Sequence, residues 1–188
     1  MNFLGHLFFS GSDHDLMYAN LFGDFVRGSD FTIYSNNIVK GIKLHRSIDD
    51  YFNRHHSILT VQRQLYKYIP KVSGIAMDLY ADHWLAKNWK LFHNQPYKEY
   101  LRDFYSYDPF NNNEYPDDFI YFIDILKSRR WMDDYPNESG LFNASNGLSK
   151  RLSFPNNLGD SLIYYKKYEK ELQMAFQNYF KDAIKEFL

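Results

Sequence analysis

Apolar residues recur along this chain at three- and four-residue intervals, and no stretch alternates with period two over a strand's length. From Asn36 or Asn37 to about His55, Ile42, Ile48 and Phe52 lie on one side of a cylinder, which predicts a central helix with one buried face. Upstream, residues 2–9 form a short apolar run with His6 in its middle. Ser12 or Asp13 can cap a helix from about His14 to Arg27, with Gly28 as its stop and Leu16, Ala19, Asn20, Gly23 and Arg27 along one stripe. Residues 28–36 read as a loop. Downstream, Ser57 can cap a helix that Pro70 ends, and 72–93 is a long segment with Ile75, Leu79, Leu85, Trp89 and Phe92 inward. Pro96 suits the first turn of a helix reaching Tyr107. The turn-rich run 108–118 predicts a loop, followed by helices at Asp117–Arg130 and Leu141–Leu152. Residues 158–188 contain no proline and predict one long amphipathic helix, with Leu162, Tyr165, Leu172, Phe176, Phe180 and Ile184 inward. The pattern is that of an all-α, single-domain helical bundle spanning 1–188, with seven to nine helices.

Composition narrows the partners. With 22 basic and 23 acidic side chains, nothing drives the whole chain towards nucleic acid or a membrane. The absence of cysteine excludes disulfides and thiolate metal sites. Neither a secretion signal nor a membrane span is legible, so a cytoplasmic location is the expectation; oligomeric state has no signature.

Three segments hold nearly all the candidate chemistry. The first contains His6 with Asn20, Asp24 and Arg27; the second His45, Arg46 and Asp49, with Asp50 and His55 close behind; the third Asp78, Asp82 and His83. His45 and Asp49, like Asp78 and Asp82, are four residues apart, a step of roughly 40° around a helix, so each pair shares a face. Imidazoles and carboxylates inside apolar helices need partners. A divalent ion held between helices is one solution and a buried hydrogen-bond network is the other; spacing leaves both open. Asp13, Asp15, Asp30 and Asp117 read as caps or solvated groups, His14 and His93 as exposed, and Asp50 as turned away from Asp49. No phosphate-cradling glycine loop or nucleophile elbow is present.

Five stretches, in order, resemble the acyl carrier protein phosphodiesterase family: MNFLGHLFFS at the start, ANLFGDFVRG (19–28), KGIKLHRSID (40–49), MDLYADHWLAKNW (77–89) and GLSKRLSFPNNL (147–158). The resemblance implies an all-helical fold related to the HD-type metal-dependent phosphohydrolases. It also implies hydrolysis of the phosphodiester that joins 4′-phosphopantetheine to a serine of holo-acyl carrier protein, with Mn²⁺ as the preferred cofactor and Mg²⁺ as an alternative. By motif match it assigns metal ligation to His6, Asp24, His45, Asp78 and Asp82, and catalysis to Asp24, Asp49, Asp82 and His83. Asn20, Arg27, Arg46 and Arg151 are assigned to the substrate phosphate. Phe52-Asn53 and His55-His56 depart from the family pattern, and the order Asp82-His83 reverses the doublet that names the HD class. An acidic carrier protein would dock on basic surface, for which Lys40, Lys43, Arg46, Arg54 and Arg63 are candidates. Two other functions fit the same residues: an HD-like hydrolase of a nucleotide or other small phosphoester, and a non-catalytic helical protein that binds a carrier protein.

Overall fold

A computed structural model describes residues 1–110 and 114–188; the middle of the expected 108–118 loop, residues 111–113, lies outside the described residues. The described residues form ten α-helices and no strand. They are α1 (Phe3–Phe9), α2 (His14–Leu21), α3 (Asn36–Arg54), α4 (His56–Leu65), α5 (Ser73–Lys87), α6 (Tyr97–Ser106), α7 (Asp117–Arg129), α8 (Glu138–Arg151), α9 (Ser161–Lys167) and α10 (Glu169–Phe187). The all-α class is as the periodicity predicts.

Several boundaries differ, each for a local reason. The helix expected to reach Arg27 stops at Leu21 and tightens into a 3₁₀ turn, Phe22–Phe25. Gly28 does take a left-handed φ of 75°, but it lies in the loop well past the helix end. Pro96 precedes α6 as its cap residue, not inside its first turn, and α4 begins at His56 with no side-chain cap from Ser57. Residue 168 interrupts the expected 158–188 helix: Tyr168, at φ −111° and ψ 23°, separates α9 from α10. The break lets Tyr165 pack on Tyr80 and His83 while α10 follows its own line along α4 and α5. His93, expected on the surface, is half-buried and stacks on Trp89 at 4.8 Å.

The core is one contiguous apolar cluster with α1 threaded through it; Leu4, Leu7, Phe8 and Phe9 are all buried. A seven-residue helix is not stable alone in water, so α1 depends on its surroundings. Phe8 and Phe9 meet Phe180 of α10, and the Asp82 carboxylate of α5 accepts hydrogen bonds from the Leu4 and Gly5 amides at 2.8 and 3.0 Å. Those amides lie in the first turn of α1, where no intrahelical acceptor exists.

Two glycines let α3 lie at close range against α2 and against the 3₁₀ turn that follows it. A β-carbon on Gly41 would come within 2.3 Å of the Ala19 side chain and 2.7 Å of the Asn20 amide nitrogen. One on Gly23 would come within 2.4 Å of the His45 ring.

Candidate metal centre

His45 and Asp49 occupy the buried face of α3, one turn apart, and three further elements meet them there. The His45 Nε2 lies 3.2 Å from Asp49 Oδ2 and 3.2 Å from Oδ1 of Asp24 in the 3₁₀ turn. His6 of α1 stacks on His45, with ring centroids 4.0 Å apart and planes 9° from parallel, and its Nε2 lies 3.3 Å from Asp49 Oδ1. The Met1 α-ammonium donates to Asp49 Oδ1 at 2.7 Å and lies 3.4 Å from Asp78 Oδ1. Both imidazoles are buried, whereas the side chains of Asp49 and Asp24 keep 34% and 59% of their exposure. The cluster therefore has an apolar floor and a carboxylate mouth that water and a substrate can reach.

The charges are strongly coupled. Burial pushes His6 down to about 4, which keeps it neutral near pH 7. Burial also opposes charge on His45, but the hydrogen bonds it donates to Asp24 and Asp49 outweigh it and raise it to about 9. At Asp49, lost hydration is overcome by the hydrogen bond that His45 donates and by the Met1 ammonium, so the carboxylate is held far below its usual range. Asp24 is lowered in the same sense, with His45 overcoming burial. Asp78 is raised, by burial first and by neighbouring Asp49 as well.

The donor set suits a divalent cation. The His6, His45 and Asp49 donor atoms lie within 4.8 Å of one another, near enough for one ion at bond lengths of about 2.0–2.6 Å. The atoms facing His6 Nε2 are oxygens, Met1 O at 3.1 Å and Asp49 Oδ1, and among the described residues the buried His45 Nδ1 has no partner. A nitrogen–oxygen set without sulfur suits a hard or borderline divalent cation.

The other residues singled out in the sequence lie apart from this set. Asp82 shares a helix face with Asp78, but both its oxygens turn to the α1 amides; burial raises it to about 7 against those two hydrogen bonds. His83 hydrogen-bonds through Nδ1 to the Tyr135 carbonyl at 2.7 Å and packs edge-on against Tyr165. Asn20 is wholly buried and bonds to His6 and Ser10, out of reach of any substrate phosphate. Arg46 donates to the Val26 carbonyl at 2.9 Å and lies over the Phe31 ring, holding the loop after Asp24. Arg27 is exposed on that loop. Arg151, at the end of α8, lies over Trp131. Asp50 is exposed and paired with Arg54, as expected. Sequence reading missed Met1 and Ser10. Ser10 had a signal, being one helical turn beyond His6; the ammonium of Met1 had none in the periodicity.

A family model described as acyl carrier protein phosphodiesterase matches residues 1–183. Curated proteins of that name are similar over most of the chain. One from Enterobacter sp. (strain 638) is 28% identical over 152 residues, 80% of this chain and 79% of the relative. One from Salmonella agona (strain SL483) is 25% identical over 181 residues, 96% of this chain and 94% of the relative. No solved structure matches the chain.

Proposed function

The chain belongs to the acyl carrier protein phosphodiesterase family, and we propose that it hydrolyses the phosphodiester joining 4′-phosphopantetheine to the serine of holo-acyl carrier protein, with a divalent cation, Mn²⁺ by preference. The observation that carries this reading is the convergence of His6, His45 and Asp49 from two helices at one point with a carboxylate mouth. When bound there, the cation supplies Lewis acidity: it eases deprotonation of water and offsets charge building on the phosphoryl oxygens. His6, His45 and Asp49 hold it, and Asp78 and the Met1 ammonium balance the charge behind Asp49. Asp24, the most open carboxylate, takes the proton of the attacking water. A P–O bond forms to water, the P–O bond to serine breaks, and the serine oxygen leaves as an alkoxide that takes its proton from solvent at the open mouth, to which Asp24 returns the proton it accepted. Asp82 and His83 keep α1 and the α5 flank in register, in place of the direct chemical roles the motif match implied.

For an acidic carrier protein, exposed Lys40, Lys43 and Arg63 are the available basic groups, since Arg54 is paired with Asp50 and Arg46 is turned to Val26. Attraction of that kind weakens as salt screens it. The deciding experiment is incubation with Mn²⁺ and holo-carrier protein, read by intact mass. Appearance of apo-carrier protein supports the reading. Turnover of a nucleotide panel with holo-carrier protein left intact would favour the small-phosphoester hydrolase, and neither turnover nor cation binding would favour a non-catalytic partner.

A further inference from the structure

Asn20 has a hydrogen-bond pattern with only one consistent solution. The Ser10 hydroxyl donates to the His6 carbonyl at 2.8 Å, so its oxygen is left to accept. The Asn20 Nδ2 donates to that oxygen at 2.9 Å and to the His6 carbonyl at 3.0 Å. Turning the amide over would set its oxygen against the carbonyl, in a site closed to solvent. The amide oxygen therefore faces His6 Nδ1, 3.0 Å away, and can only accept. A proton must sit on Nδ1. Neutral imidazole then has none on Nε2, the nitrogen that faces Asp49 and the Met1 carbonyl.

We propose that Asn20 is a positioning residue: with Ser10, it fixes the His6 imidazole with its proton on Nδ1, so that Nε2 presents a lone pair to the cation. This rests on the reading of His6 as a ligand, and it replaces the phosphate-binding role that the motif match implied for Asn20. The nitrogen left for the cation, Nε2, faces two oxygens, Met1 O and Asp49 Oδ1. The backbone at Asn20 is held against Gly41 of α3, so the amide moves with the helix that carries His45 and Asp49.

The test needs no variant to begin. In the chelator-treated wild-type protein, the ¹⁵N spectrum of the His6 ring should show Nδ1 protonated. A bare Nδ1, with the proton on Nε2 alone, overturns the proposal, whatever the protein does to holo-carrier protein. Asn20→Leu keeps the bulk and removes the acceptor; it should move the proton off Nδ1 and weaken Mn²⁺ binding, measured calorimetrically, by about 10- to 100-fold. Ser10→Ala, which only loosens the amide, should lose less. Unchanged His6 protonation and Mn²⁺ affinity in both variants, with helical circular dichroism intact, would also overturn it. If the tautomer is as stated yet wild-type protein with Mn²⁺ leaves holo-carrier protein intact, the functional reading fails and the positioning role stands.

Discussion

The α3 pair His45/Asp49 and the α5 pair Asp78/Asp82 have the same spacing, yet they meet different partners. On α3 the pair faces other titratable groups: His45 Nε2 meets Asp24 and Asp49, and Asp49 also meets His6 and the Met1 ammonium. On α5 the second member, Asp82, is matched by two backbone amides from a helix that has no other cap. Its neighbour His83 is likewise tied to a carbonyl. A buried carboxylate satisfied by backbone amides fastens two helices together; a cluster of titratable side chains around one point suits a cation. Spacing cannot separate the two, because the partner that decides lies 77 or more residues away in the chain.

That contrast can be broken most sharply at α3. His45→Ala and Asp49→Ala should each lower turnover by at least about 100-fold and weaken Mn²⁺ binding to a similar degree. Retained activity and affinity in either variant would end the distinction. Asp82→Ala should do the reverse: two α1 amides lose their acceptor, for a loss of roughly 2–4 kcal/mol in urea unfolding, while any change in Mn²⁺ affinity should track that instability. An Asp82→Ala protein as stable as wild type, but unable to bind Mn²⁺, would move Asp82 into the metal set.

Acidity offers a smaller effect on the same contrast. In chelator, His45 is raised from 6.5 to about 9 by Asp24 and Asp49 against burial. The folded state therefore holds this proton more tightly than the unfolded state does. Its stabilisation is complete below pH 6.5 and fades as pH rises through about 9. Urea midpoints of the wild-type protein should fall across that window, and an Asp24→Asn variant should fall less. An equal slope in the two proteins would mean that the His45–carboxylate contact is not its source. Smallest of all should be His83→Asn, which loses one hydrogen bond worth about 1 kcal/mol and should leave turnover within tenfold of wild type, checked by steady-state kinetics.

Much of the fold was legible because it is written in local periodicity. The α3 boundaries, the stop before Trp131 and the inward positions of α10 follow from apolar spacing. The early end of α2 and the break at Tyr168 did not: Gly23, two residues past Leu21, fits the apolar stripe as well as a stop, and no proline or glycine marks Tyr168. At the site, His6, Asp24, His45 and Asp49 were named, but within a larger set that also held Asp78, Asp82 and His83, and Asp49 stood there among the catalytic residues and not the metal ligands. The separate standing of Asp82 and His83 was hidden, as was the inward task of Asn20, because each depends on which backbone group happens to lie opposite.

The clearance left by Gly23 and Gly41 is one hydrogen atom wide. A methyl at either position must wedge apart the pieces that hold Asn20, Asp24 and His45. Randomising both codons and selecting for turnover should return glycine alone at each, even from libraries in which the surrounding apolar residues drift freely.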